Sequence, residues 1–456
     1  MAGLVLAVLA VAVAGAPTAW RLRTHPLDGP GIVAAAIVVT FGLTALAWLG
    51  TPINPAPGVD RQDIAEALLL VAAGLVAFGI GARLVSRPAA TAMPQVAATA
   101  LPSVRALGIT YAVTASATVA ALAAGRYGYL SDPNAASTGT TQITSLGGAL
   151  AGVTVLVTVV AAFAVRSRPY WLLLAAVVGV QCAIGFVAGV KGESVTPVIY
   201  VALAYVAWRR RIPWRWVIGA VAVVLLLLLP TNRAYREALR GPGNPVSAVW
   251  KVVSRPANYR PDLSAKRGLD YFVDRFRQID HVALIVSRTP SQYPFADGRR
   301  YLELPFVAVV PRALWPGKPV LDDSAQFSHT YWQIPRGVQT ATQITLPGDL
   351  YRNWGAAGIV AGMFIWGLLT GLWSRACLGR ASPRLIAVHL FALLTVFGYV
   401  EADLPTNLAT AARTVPIVAI AAFLILPGQG GSEPGARRGL RWLRRHAGSP
   451  RFARSA

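Results

Sequence analysis

Residues 346–374 read LPGDLYRNWGAAGIVAGMFIWGLLTGLWS, a polar approach carrying Asp349, Tyr351, Arg352 and Asn353 that runs directly into an apolar stretch. About 20 apolar residues cross a hydrocarbon core of about 30 Å as a helix. The run is continuous and lacks the alternation of a barrel strand, so it reads as a membrane helix.

The same pattern repeats outward in both directions. Apolar runs at about 3–20, 31–50, 64–82, 107–125, 146–165, 170–190, 193–208, 214–230, 356–374, 384–400 and 412–428 give eleven spans, of which 193–208 is the weakest. The chain is 55% hydrophobic and only 13% charged, with a mean hydropathy of +0.52. Those values belong to a polytopic, all-α membrane protein and not to a soluble enzyme.

The first apolar run ends in Ala-Gly-Ala like a signal peptide, but no basic residue precedes it and Arg21 and Arg23 follow. A cleaved signal has the opposite flanks. The expectation is a retained helix with its N-terminus outside. The positive-inside rule then gives one consistent topology. Inside connections and the C-terminal tail hold 21 Lys/Arg against two acids, Asp28 and Glu433, while the short outside connections hold four against seven. The C-terminus falls in the cytoplasm. The net charge of +23 is therefore mostly topology. The tail GARRGLRWLRRH suits anionic headgroups, and no nucleic-acid partner is expected. Abundant Ala, Gly, Pro and Arg with few Lys suggest a high-GC bacterium, hence its cytoplasmic membrane.

Between spans eight and nine lies a polar segment, 231–355, holding 17 of the 42 Lys/Arg and 10 of the 19 Asp/Glu. The topology places it outside the cell. The chain thus divides into spans one to eight (1–230), this extracytoplasmic segment (231–355), spans nine to eleven (356–428) and a basic cytoplasmic tail (429–456). Within the segment, Leu269, Phe272, Val273, Phe276, Ile279, Ala283 and Val286 recur at helical spacing. They predict an amphipathic helix over 265–288 that lies on the bilayer surface or caps the bundle. The stretch YLELPFVAVVPRALW (301–315) is apolar but too short and proline-broken to span, and is expected to pack over a cavity opening outward.

Four strings carry candidate chemistry. In VPRALWPGKP (310–319) three prolines stiffen the backbone around Arg312 and Lys318 beside Trp315. Paired rigid cations suit a phosphate or diphosphate; the bland alternative is a snorkelling interface belt. In LPGDLYRNWG (346–355) Asp349 is a candidate base or a plain helix cap, with Arg352 nearby. Lys191 in KGES (191–194) opens a helix, an anion-binding arrangement, although Glu193 also offers it a simple ion pair. Arg233, Arg236 and Arg240 leave span eight at helical spacing, and cations this close to a membrane core are functional candidates. His281, beside Asp280, is a second candidate base; Glu401 and Asp403 are alternatives. Cys182 and Cys377 form no disulfide framework, and no metal site, nucleophile elbow, Walker motif or dinucleotide fingerprint is present.

Over roughly residues 185–375 the KGES, VPRALWPGKP and LPGDLYRNWGAAG elements together resemble the Wzy-like O-antigen polymerases, the oligosaccharide repeat-unit polymerases. The first 165 residues are similar in hydropathy only. Lys191 stands where Arg is commoner, Asp349 where Glu is, and Trp354 where Phe is. An Arg followed by ten residues and Gly, described for some of these polymerases, is absent. The resemblance implies a GT-C-like bundle that joins glycan repeat units on undecaprenyl diphosphate at the outer leaflet, without cofactor or nucleotide sugar. A chain-length regulator and a flippase are the implied protein partners, beside membrane lipids. Under it, Lys191, Arg233, Arg236, Arg312, Lys318 and Arg352 would hold the diphosphate. Asp349 and then His281 would act as base, and Arg312 would also serve catalysis. Tyr293, Tyr301, Trp315, Tyr331 and Trp332 would stack on sugars. The competing readings are an O-antigen-ligase-like transferase, a polysaccharide transporter and a membrane scaffold.

Overall fold

The computed structural model describes residues 1–85, 101–124, 127, 139–209, 212–228, 230–232, 235–236, 254, 264–310, 314–315, 323–336, 338, 340, 342–379 and 382–426. Among them every regular element is helical. The first half comprises α1 (Ala2–Ala19), α2 (Gly29–Ile37, prolonged by a π turn and a 3-10 stretch to Leu49), α3 (Arg61–Val85), α4 (Val104–Ala123), α5 (Gly139–Val165), α6 (Arg168–Val187), α7 (Lys191–Arg209) and α8 (Trp214–Val223). The polar segment contributes α9 (Ala265–Phe276), α10 (Ile279–Arg288), α11 (Arg300–Val309) and α12 (Asp323–Thr330). The chain then forms α13 (Leu346–Leu378), α14 (Pro383–Ala392) and α15 (Leu404–Ile425).

Where described, the eleven predicted spans overlap helices. Among the described residues seven helices are long and apolar enough to cross a membrane: Ala2–Arg23, Gly29–Leu49, Arg61–Val85, Val104–Ala123, Arg168–Val187, Leu346–Leu378 and Leu404–Ile425. Leu150–Val165 and Pro383–Phe397 are shorter apolar helices. The part of α5 from Val153 to Ala164 is buried on every side, which is why it is apolar all round.

Two apolar clusters hold the bundle. In one, α1, α2, α3 and α13 enclose Phe41, Phe78, Ile64 and Leu68. In the other, α4 to α7 pack with α14 and α15 around Leu156, Phe163 and Ile386. The α3–α13 contact is made by missing side chains. A Cβ at Gly81 would collide with the Phe364 carbonyl, and one at Gly367 with the Phe78 carbonyl. In a membrane, where lipid is as apolar as leucine, close backbone approach of this kind drives helix association.

The predicted helix over 265–288 is two helices. Arg277 leaves helical geometry at φ −75°, ψ 74°. Its guanidinium binds Asp280 at 3.0 Å and the Ile53 and Asn54 carbonyls at 2.6 and 3.1 Å. Trp48 donates to the same Asp280 across 2.9 Å. At the other end of α10, Arg288 donates to the Pro57 carbonyl at 2.8 Å and to that of Tyr331. The loop after α2 is thus pinned at both ends of α10. Between the pins Ile279, Val282, Ala283, Leu284 and Ile285 are fully buried. α10 plugs one end of the bundle, while α9 packs beside Leu43–Leu49.

Candidate functional site

At the start of α13 the polar and apolar halves of the chain meet. Thr345 caps the helix by accepting Gly348 N at 3.2 Å. The cap role open to Asp349 therefore falls to Thr345, and Asp349 sits a turn further in. Thr345 adopts φ +72°, costly for a β-branched residue. It is held there because Thr345 N donates to Glu401 O and Leu346 N to Val400 O, both at 3.0 Å. These two bonds stitch α13 to the loop that enters α15.

Asp349 is fully buried. Tyr301, from the first turn of α11, donates to its Oδ2 across 2.6 Å, and Arg352 Nη2 stands 3.1 Å from its Oδ1. Asn353 donates to the Asp349 carbonyl at 2.9 Å and accepts from Gly298 N at 3.1 Å. The helix then breaks at Trp354 and Gly355, and Gly355 takes φ +62°, which glycine tolerates without a Cβ penalty. Trp354 lies against Tyr301 with ring centres 4.9 Å apart. It also covers Gly298, where a Cβ would come within 2.9 Å of the indole.

A second acid borders this group. Asp403 is 1% exposed and caps α15 through Thr406 N at 2.7 Å. Its other oxygen is buried without a hydrogen-bond partner, as is Arg352 Nε. Burial, then the charge of Asp349, pushes the Tyr301 phenol above its ordinary range, with Asp403 adding to the shift. The phenol is therefore a donor at neutral pH. Chemically the group offers a carboxylate fixed by a donor and a cation, a neighbouring acid and a spare guanidinium N–H. Among the described residues no cluster of three or more His, Cys, Asp and Glu is placed to hold a metal ion.

The other candidates distribute as follows. Arg236 Nε donates to Gly189 O at 2.8 Å, and Tyr235 to Val187 O at the same distance, so the exit from span eight packs on the α6–α7 junction where Lys191 opens α7. Glu193, a candidate partner for Lys191, accepts a hydrogen bond from Tyr127. His281 is enclosed by Trp332 and Phe327, with ring centres 5.4 and 6.1 Å away. Tyr331 is 5% exposed, bonded to Thr289 at 2.8 Å and packed between Phe327 and Tyr293. Tyr293 donates to Thr330 O at 3.0 Å. Trp315 is 40% exposed. Glu401 pairs with Arg275 at 2.8 Å. Arg233, Arg240, Arg312 and Lys318 lie outside the described residues, as does the tail 429–456.

Sequence reasoning named Asp349, Arg352 and Tyr301, but gave Tyr301 a different task. It missed Asn353 as a tie and the joint between Thr345 and the 400–403 loop. It did not single out Arg277 and Arg288, the cations that flank the apolar core of α10.

A family model described as a domain of unknown function, DUF8712, matches residues 129–377. No curated protein and no solved structure matches the chain.

Proposed function

We propose that this chain, which belongs to the domain-of-unknown-function family DUF8712, polymerises lipid-linked oligosaccharide repeat units at a membrane surface. The observation that carries the reading is the buried Asp349, held by Tyr301 and Arg352 at one end of an apolar helical bundle. In this reading a hydroxyl of one lipid-linked unit attacks the anomeric carbon of a glycan on undecaprenyl diphosphate. A new glycosidic C–O bond forms and the bond to the diphosphate oxygen breaks. The hydroxyl proton passes to Asp349, and the diphosphate leaves as an anion. Its growing charge needs cations, and Arg352, with a buried N–H to spare, is the nearest candidate. Arg236, at the α6–α7 junction, supplies a second cation, and Lys191, Arg233, Arg312 and Lys318, whose side chains lie outside the described residues, complete the proposed diphosphate set. No cofactor enters the scheme.

The fuller topology belongs to the same proposal: eleven spans in a GT-C-like bundle of the bacterial cytoplasmic membrane, the segment 231–355 outside and the C-terminus in the cytoplasm. The 33-residue α13, polar before its break and apolar after it, supports a site at the membrane boundary.

The test uses the purified full-length protein in lipid nanodiscs with undecaprenyl-diphosphate-linked repeat units and no nucleotide sugar. A ladder of longer glycans on the lipid, lost in Asp349→Asn protein that elutes as wild type, is the expected result. A single transfer to another acceptor would make the protein a ligase. No transfer by well-folded wild-type protein would overturn the reading.

A further inference from the structure

α11 is ten residues long and divided lengthwise. Leu304 and Val307 are buried, whereas Leu302, Phe306 and Val309 are 73%, 74% and 53% exposed. The exposed three stand at i, i+4 and i+7, on one face. Leu314 and Trp315, just past the helix, are 79% and 40% exposed. Five large apolar residues are thus bare within fourteen positions of the sequence.

The surroundings say what covers it. α11 packs against α15, a helix apolar enough to cross a membrane. The two helices begin at the same place: Tyr301, in the first turn of α11, touches Asp349 and feels the charge of Asp403, which caps α15. A ten-residue helix starting there and lying along α15 descends about 15 Å, half of a hydrocarbon core of about 30 Å. Further along α15, past the reach of α11, Ile420, Phe423 and Leu424 face outward.

We propose that α11 is a half-span, inserted along α15 into the leaflet on the Asp349 side, with Leu302, Phe306 and Val309 against acyl chains. The charges of α11 itself sort as such a helix needs, while Arg413, exposed on α15 nine residues past its start, needs the wet surroundings at the inner end of α11. Asp297, Arg299 and Arg300 precede or open it, Glu303 lies in its first turn within reach of headgroups, and residues 304–310 carry none. The inner end of the helix must meet protein or a wet cavity, as non-spanning backbone does at membrane depth.

Depth measurement decides the matter. Full-length protein with Cys182→Ala and Cys377→Ala receives single cysteines at Leu302, Phe306 or Val309, each labelled with an environment-sensitive fluorophore and reconstituted in phosphatidylcholine–phosphatidylglycerol vesicles. The expected result is a gradient: shallow nitroxide lipids quench the probe best at 302, deep ones at 309, and aqueous iodide reaches only a control label at Arg299→Cys. Iodide quenching at all three positions would overturn the proposal, and so would equal shallow depth, which describes a helix lying flat. A probe at 306 that neither lipid nor iodide reaches would place a second protein copy there and overturn it as well. An unlabelled check covers misfolding of the labelled chains: Phe306→Lys lowers the yield of folded protein several-fold relative to Val338→Lys, a change at an exposed loop position. Equal yields would show the face to be wet.

Discussion

The Tyr301 hydroxyl stands 2.6 Å from Asp349 Oδ2, joining α11 to the start of α13. Because burial and the Asp349 charge keep the phenol protonated, Tyr301 can only be the donor in this pair. A hydrogen bond to a charged acceptor contributes about 1.5–3 kcal/mol. Tyr301→Phe keeps the ring against Trp354 and removes that donor. If Asp349 takes a proton in the reaction and Tyr301 aims it, the initial rate of glycan transfer falls by about 10- to 100-fold as the carboxylate loses its orientation, while elution and apparent Tm change little. An unaltered rate would remove Tyr301 from the working site.

The Asp349–Arg352 pair makes a separate prediction about stability. The carboxylate side chain is fully buried and the guanidinium only 16% exposed. Removing one partner of such a pair costs about 3–5 kcal/mol, chiefly because the other charge is left buried alone. Asp349→Ala should therefore lower apparent Tm more than the double change Asp349→Ala with Arg352→Met, although the double variant has lost more groups. Thermal scans of the purified variants give the ranking. A double variant less stable than the single one would mean that Arg352 has other partners sufficient to hold it.

The membrane helices were legible because hydropathy summed over about 20 residues is a local property, independent of what each helix later touches. The ends were less so. Thr345, Pro347, Gly348 and Asp349 all carry helix-start chemistry within five positions, and the choice among them is made by Val400 and Glu401, more than 50 residues away. The break between α9 and α10 was hidden for a similar reason. The apolar periodicity runs unbroken through Arg277, and only the carbonyls of Ile53 and Asn54 pull that residue out of the helix. Tyr331 meets Thr289 and Trp332 meets His281, contacts across the chain that no local pattern announces. Asp349 and Arg352, by contrast, lie three residues apart on one helix, so their clustering at its start was legible from spacing.

The α3–α13 crossing predicts a sharp dependence on side-chain size. At Gly81 and Gly367 an added Cβ meets backbone carbonyls, which cannot rotate away. Gly81→Ala and Gly367→Ala should each cost about 1–3 kcal/mol by forcing the helices apart, seen as a lower apparent Tm and a smaller monodisperse fraction. Gly152→Ala and Gly179→Ala, where nothing lies within 4 Å, serve as controls and should match wild type. Equal behaviour of all four would mean that the two helices are not in backbone contact.

His281 gives the pH dependence. Burial among aromatic rings pushes it down from 6.5 to about 4; a backbone hydrogen bond with Gln343 opposes the shift, and the charges of Arg275 and Arg277 add to it. It is therefore neutral in the fold at pH 7. In the unfolded chain the same imidazole takes a proton once the pH falls below about 6.5. The unfolded state then binds more protons than the folded one, so stability rises with pH across this window. The contribution is complete above pH 6.5, is lost progressively as the pH falls toward 4, and does not fall further below that. The slope inside the window is on the order of 1 kcal/mol per pH unit. His281→Phe, which keeps an aromatic ring between Trp332 and Phe327, should flatten the fall in apparent Tm between pH 6.5 and 4.5 relative to wild type. Parallel curves for the two proteins would mean that His281 takes up its proton in the folded chain as readily as in the unfolded one, and that the ring is not sealed from water.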